Sequence, residues 1–108
     1  MNAEALRVVL VTAPNREVAT GLAHRLVQDK LAACVNVLPG IRSIFAWQGT
    51  IEDAEEVLLL VKTTADRWPA LEETILREHP YEVPEILALT PSAGLDAYCR
   101  WVAEETTQ

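Results

Sequence analysis

At 108 residues the chain has room for one domain, spanning 1–108, and none for a second core. Half of it is hydrophobic and 23% is charged, which excludes a disordered chain, while a net charge of −7 without a basic stripe or an aromatic stacking platform argues against nucleic acid. A chain this small leaves roughly two-fifths of its unfolded surface exposed, so its high apolar share implies that other subunits cover some apolar faces.

Arg7 to Thr12 is a β-branched run bounded by Ala13-Pro14 and fits a strand buried on both faces. Asn15 can cap the helix that follows, where Val18, Leu22 and Leu26, flanked by Ala19, Ala23 and Val27, recur at helical spacing up to Lys30. Cys34 to Trp47 is extended in character but bends at Pro39-Gly40, since proline lacks a ladder donor and glycine invites a bulge. Gln48-Gly49 predicts a tight turn, and the return strand runs from about Thr50 through Thr64, making a long hairpin.

Pro69 in a first turn loses nothing, because its missing N–H had no partner there. A second helix therefore runs from Asp66-Arg67-Trp68-Pro69 to near His79-Pro80, with Leu71, Ile75 and Leu76 on its inner face. Val83 to Thr90 reads as a fourth strand, and Gly94 to Glu104 as a third helix with Leu95, Tyr98, Cys99 and Val102 on one stripe. The order βαββαβ plus a terminal helix is a split βαβ: an α+β, ferredoxin-like fold with an antiparallel sheet and the first two helices on one face. A hairpin longer than two helices can cover leaves an unpaired edge, which pairing across subunits would satisfy, and a heterologous contact that closes by rotation makes a ring.

The longest apolar run, Val57 to Val61, is far too short to cross a bilayer, and no basic segment followed by an apolar one opens the chain, so the expected place is the cytoplasm, with no membrane partner. Cys34 and Cys99 are too few and too far apart for a disulfide framework and read as reduced thiols, although their pairing stays open. Cys34 in an apolar strand is either a small buried hydrophobe or a soft-metal ligand.

No nucleophile elbow, P-loop, dinucleotide fingerprint or zincin motif is present, so no enzyme is expected. His24 lies on a solvated helix face and receives no role. His79 is the stronger candidate: it follows Glu78 at a helix end, Pro80 fixes it, and Tyr81, Glu82 and Glu85 come close behind. Imidazole suits copper, zinc or nickel and carboxylates can complete such a site, the alternative being that His79 serves the last helix carbonyls. Glu52, Asp53, Glu55 and Glu56 alternate between the two faces of the return strand, as a solvated and guarded strand end or as a collector of hard cations. Trp47, Tyr81 and Trp101 are amphipathic and suit a core, an interface or a pocket. Lys62 ends an apolar strand and needs a partner, for which Glu85 is a candidate.

Val11-Thr12-Ala13-Pro14, Lys30 through Asn36, Pro39-Gly40-Ile41, Ser43-Ile44-Phe45, Trp47-Gln48-Gly49, Lys62-Thr63-Thr64 and His79 through Ile86 together resemble the CutA divalent-cation tolerance family over nearly the whole chain. The resemblance implies a homotrimer of ferredoxin-like subunits whose long hairpins pair between neighbours, similar in architecture to the PII signalling proteins. It also implies tolerance of divalent cations, chiefly copper, with Cu2+ as the ion bound. His79 carries over as a ligand, with Glu78 and Glu82 as its carboxylate help, and Cys34 matches the family's strand cysteine. Val11 stands where a metal-binding member has a cysteine, and Glu78 where it has a second histidine, which weakens a soft-metal site. The alternative reading is a trimeric regulatory or scaffold module holding a small molecule or a partner protein in intersubunit clefts near Trp47, Lys62, Tyr81 and Glu85.

Overall fold

The computed structural model describes residues 2–107. The chain runs through strand β1 (Leu6–Ala13), helix α1 (Arg16–Gln28), strands β2 (Cys34–Trp47) and β3 (Thr50–Thr64), helix α2 (Trp68–Glu78), strand β4 (Ile86–Leu89) and helix α3 (Asp96–Glu105), with short 3-10 turns before β1 and α2. The four strands form one antiparallel sheet in the order β2-β3-β1-β4, the arrangement that a split βαβ requires.

Alternation along β1 and β3 sorts the core. Val9, Val11 and Ala13 on β1 share one sheet face with Val57, Leu59 and Val61 on β3, and onto it pack Ala19, Leu22 and Leu26 of α1 and Leu71 and Ile75 of α2, all buried. Thr63 belongs to the same face and satisfies its hydroxyl on the carbonyl of Leu31, 2.6 Å away. The opposite face is covered at one end only, where Cys99 and Val102 of α3 pack on Leu6, Ala3 and Ala33.

Local signals explain the element ends. The Asn15 side chain accepts the Val18 N–H at 2.9 Å and starts α1. That helix closes with the Leu31 N–H on the Leu26 carbonyl and the Lys30 N–H on the Val27 carbonyl, with Lys30 left-handed at φ 58°, a Schellman ending built without glycine. Gly40, at φ 79°, takes up the bulge that shifts the β2/β3 register between Leu38 and Ile41, where the Pro39-Gly40 bend was expected.

Several expectations need correction. The fourth strand is four residues long, Ile86–Leu89, rather than 83–90, because Pro84 has no N–H to offer a ladder. The third helix starts at Asp96, and Leu95, placed on its inner stripe, is exposed, as is Tyr98; only Cys99 and Val102 turn inward. Leu76, expected on the inner face of its helix, is exposed as well, because Ile75 takes the buried position on the adjoining row; Val27, which flanks the α1 stripe, is likewise exposed beside the buried Leu26.

The hairpin decides the shape. The last β1/β3 pair is Ala13 with Val57, so residues 50–56 of β3, roughly 23 Å of strand, run beyond the sheet body together with their partners on β2. The molecule is correspondingly long, 44 Å by 26 Å by 23 Å.

Candidate functional site

Residues 79–85 link α2 to β4 and cross the end of β1 toward the overhanging hairpin. One buried side chain fixes that crossing. His79, only 7% exposed, places Nε2 2.7 Å from the Thr12 carbonyl, while its Nδ1 accepts the Tyr81 N–H at 3.1 Å. A carbonyl can only accept and an N–H can only donate, so the imidazole is neutral with its proton on Nε2. The Tyr81 ring lies beside it, with centroids 4.8 Å apart.

Held this way, Tyr81 donates its hydroxyl to the Glu56 carboxylate at 2.6 Å. Glu56 is 6% exposed and faces away from the helices, because even-numbered positions of β3 alternate with the buried Val57 and Leu59. A carboxylate that deep needs a donor, and Tyr81 supplies one. Burial of the phenol, together with the hydrogen bond and charge of Glu56, pushes the Tyr81 pKa up to about 12.

Around this pair runs an open cleft between the hairpin and the loop. Its outer part, about 460 Å³, is lined by Phe45, Trp47, Glu52, Tyr81 and Glu82 among others. Its inner part, about 440 Å³, shares Phe45, Trp47 and Tyr81 and adds Thr12, Glu56 and Glu85. A larger groove of about 660 Å³ follows α1 past His24 to Glu78, but it is a shallow polar surface crossed by the Arg25–Glu78 ion pair.

The structure therefore gathers Trp47, Tyr81 and Glu85 of the expected cleft and leaves Lys62 apart. Lys62 pairs in register with Cys34 and Val8, at the other end of the sheet, and its ammonium is bonded to the Asn36 side chain rather than to Glu85. Glu78 spends its carboxylate on Arg25, at 2.7 Å, and Arg25 also holds Asp29 at 2.6 Å. The Asp29 bond and charge, then Glu78, raise the Arg25 pKa further. Glu82 faces the outer cleft, and its side chain has no hydrogen bond or ion pair among the described residues. Among the described residues no three His, Cys, Asp or Glu side chains gather into a group that would hold a metal ion, and within one chain both ring nitrogens of His79 and one carboxylate oxygen of Glu78 are already engaged.

The acidic run divides by function. Asp53 forms a two-pronged bond with Arg42 at 2.8 and 2.5 Å, which holds its carboxyl below the usual range. Glu56, by contrast, anchors Tyr81, a role that alternation alone did not reveal; its place directly before the buried Val57 was the available signal. Cys34 and Cys99 are both free thiols. Burial, with Cys34 and then Cys99 adding to it, raises the Tyr98 pKa; Cys34 pairs in register with Lys62, away from the cleft. Trp101 stacks with Tyr98 on α3, 5.7 Å between centroids, and takes no part in the cleft either. His24 is exposed on α1.

Known proteins share this fold. Residues 7–105 match the model of the CutA1 divalent ion tolerance protein family. The divalent-cation tolerance protein CutA of Thermus thermophilus is 50% identical over 99 residues, covering 92% of this chain and 96% of its own. A solved structure of the divalent cation tolerance protein from that organism superposes with a TM-score of 0.92 at 48% identity, over 94% of this chain and 99% of the other. The chloroplastic CutA of Arabidopsis thaliana is 44% identical over 92% of this chain but 54% of its own, so the chain spans nearly all of the bacterial relative and about half of the plant one. With its motifs, its sheet order and its hairpin all in agreement, the chain belongs to the CutA1 divalent ion tolerance family.

Proposed function

We propose that the chain works in divalent-cation tolerance as a homotrimeric binding module rather than an enzyme, and that its working surface is the cleft of Trp47, Tyr81, Glu56 and Glu85. The observation that carries this reading is the double engagement of His79. With Nε2 on Thr12 and Nδ1 on the Tyr81 amide, the imidazole has no lone pair to offer an ion, and it instead holds Tyr81 in the cleft. The trimer is supported by the sheet face opposite α1 and α2. There Leu87 is 55% and Leu89 48% exposed, beside the half-buried Leu10, Leu58 and Leu60, and α3 covers only the Leu6 end. Two free thiols suit a reducing compartment, which favours the cytoplasm.

Copper binding through His79, Glu78 and Glu82 is the second reading, favoured by the unpartnered Glu82 carboxylate at the mouth of the cleft. It requires His79 to give up Thr12 or Tyr81, and Glu78 to bind with the carboxylate oxygen that Arg25 does not hold. Calorimetric titration of Cu2+ and Zn2+ into chelator-treated protein, with His79→Ala beside it, separates the two. Saturable binding at one ion per subunit that His79→Ala abolishes, with the fold intact, would establish the copper reading; weak binding indifferent to the substitution leaves the cleft.

A further inference from the structure

We infer that the cleft between the hairpin and residues 79–85 binds a small organic ammonium ion; the inference rests on the cleft reading and names the ligand class it takes. The lining combines three aromatic rings, Phe45, Trp47 and Tyr81, with carboxylates at both ends: Glu52 and Glu82 toward the hairpin tip, Glu56 and Glu85 toward the sheet. Neither part is lined by a lysine or an arginine. The nearest hairpin cation, Arg42, is spent on Asp53.

Charge and shape together select the class. A bare divalent ion needs several oxygens converging on one point within roughly 2.0–2.6 Å, and no three carboxylates gather here. Carboxylates spread along a cleft instead set up a diffuse negative potential, which suits a cation whose charge rides on an apolar body. The rings complete the match, because a cation within about 6 Å of an aromatic face is attracted by the ring quadrupole, most strongly at tryptophan. The ring pairs in contact among the described residues are His79 with Tyr81 and Tyr98 with Trp101, so the Phe45 and Trp47 rings are stacked on no other ring there. The two parts of the cleft, about 460 and 440 Å³, have the volume of a small-molecule site. The side chains of Glu52, Glu82 and Glu85 carry no hydrogen bond or ion pair among the described residues, so an ammonium group would displace no partner. Glu56, tied to Tyr81, keeps that ring facing the ligand.

The test follows the three indole N–H resonances of the full chain, Trp47, Trp68 and Trp101, assigned by substitution, as 1,4-diaminobutane, tetramethylammonium or neutral 1,4-butanediol is added with chelator present. The two cations should move the Trp47 signal saturably and leave Trp101 still, the diol should do neither, and Glu52→Gln with Glu82→Gln should weaken binding about tenfold. Both of those glutamates are exposed, so the double variant keeps its fold. Equal shifts with diamine and diol would overturn the ammonium assignment while leaving an organic-ligand cleft in place. No shift with any of the three, in protein of trimer mass, would overturn the assignment and the cleft reading together, since a neighbouring subunit would then fill the space.

Discussion

His79 and Thr12 stand 67 positions apart in the chain and 2.7 Å apart in the fold, the imidazole Nε2 donating to the Thr12 carbonyl. That bond, with the Tyr81 N–H on Nδ1, ties the exit of α2 to the end of β1 and sets where the 79–85 loop meets the hairpin. Through these two bonds the imidazole braces the loop against the sheet.

His79→Ala should therefore cost stability before it costs binding. It leaves the Thr12 carbonyl and the Tyr81 amide short of partners, each loss amounting to roughly 1–3 kcal/mol where the group stays buried. Denaturant unfolding should show a lowered midpoint with an unchanged slope. A midpoint equal to that of the unsubstituted protein would contradict the bracing role.

The Tyr81–Glu56 bond predicts an alkaline weakness. The folded-state pKa, about 12, lies above the ordinary value of 10.0, so the folded state favours the neutral phenol. Its contribution is fully present below pH 10 and is lost as pH rises through about 12. The stability gap between the unsubstituted chain and Tyr81→Phe should narrow across that window. At pH 7 Tyr81→Phe should be the less stable, because Glu56 then lies buried without its donor; a gap that does not change with pH would refute the assignment.

The hairpin tip carries a mismatch that can be improved. Gln48 sits at φ 50° and Gly49 at φ 80°, the two positive values of a two-residue primed turn, which asparagine followed by glycine adopts most readily. Gln48→Asn should raise the thermal midpoint slightly. Gly49→Ala should lower it, by roughly 1 kcal/mol of stability, because an L side chain is strained there. Opposite signs for the two variants are the result to look for.

The leucine face predicts the assembly. Light scattering should give three times the 11.9 kDa chain mass. Leu87→Glu, which sets a charge among Leu10, Leu58 and Leu60, should drop the mass toward that of one chain while the far-ultraviolet circular dichroism stays that of a folded domain. A trimer untouched by Leu87→Glu would put the interface elsewhere.

Much of the architecture is legible in local pattern. The β-branched run of β1, the Asn15 cap, the Pro39-Gly40 bend and the Gln48-Gly49 turn each depend on neighbours within a few positions, and each appears where expected. The failures lie where a helix or strand meets something distant. Periodicity placed Leu95 and Leu76 inward, but burial depends on which row of a helix meets the sheet, and that row belongs to Ile75, Cys99 and Val102.

The amino-acid sequence by itself determined the element order, the hairpin and the family, because propensity, capping and motif spacing act over short range. Only the tertiary structure decided what the polar side chains do. His79 bonds the Thr12 carbonyl and the Tyr81 amide, Glu78 pairs with Arg25, Lys62 with Asn36, and Glu56 is the hidden acceptor of Tyr81. The reason is geometric: a hydrogen bond requires atoms within about 3 Å, and which distant groups come that close is set by the strand register and by the hairpin folding over the 79–85 loop, neither of which any single stretch of residues contains.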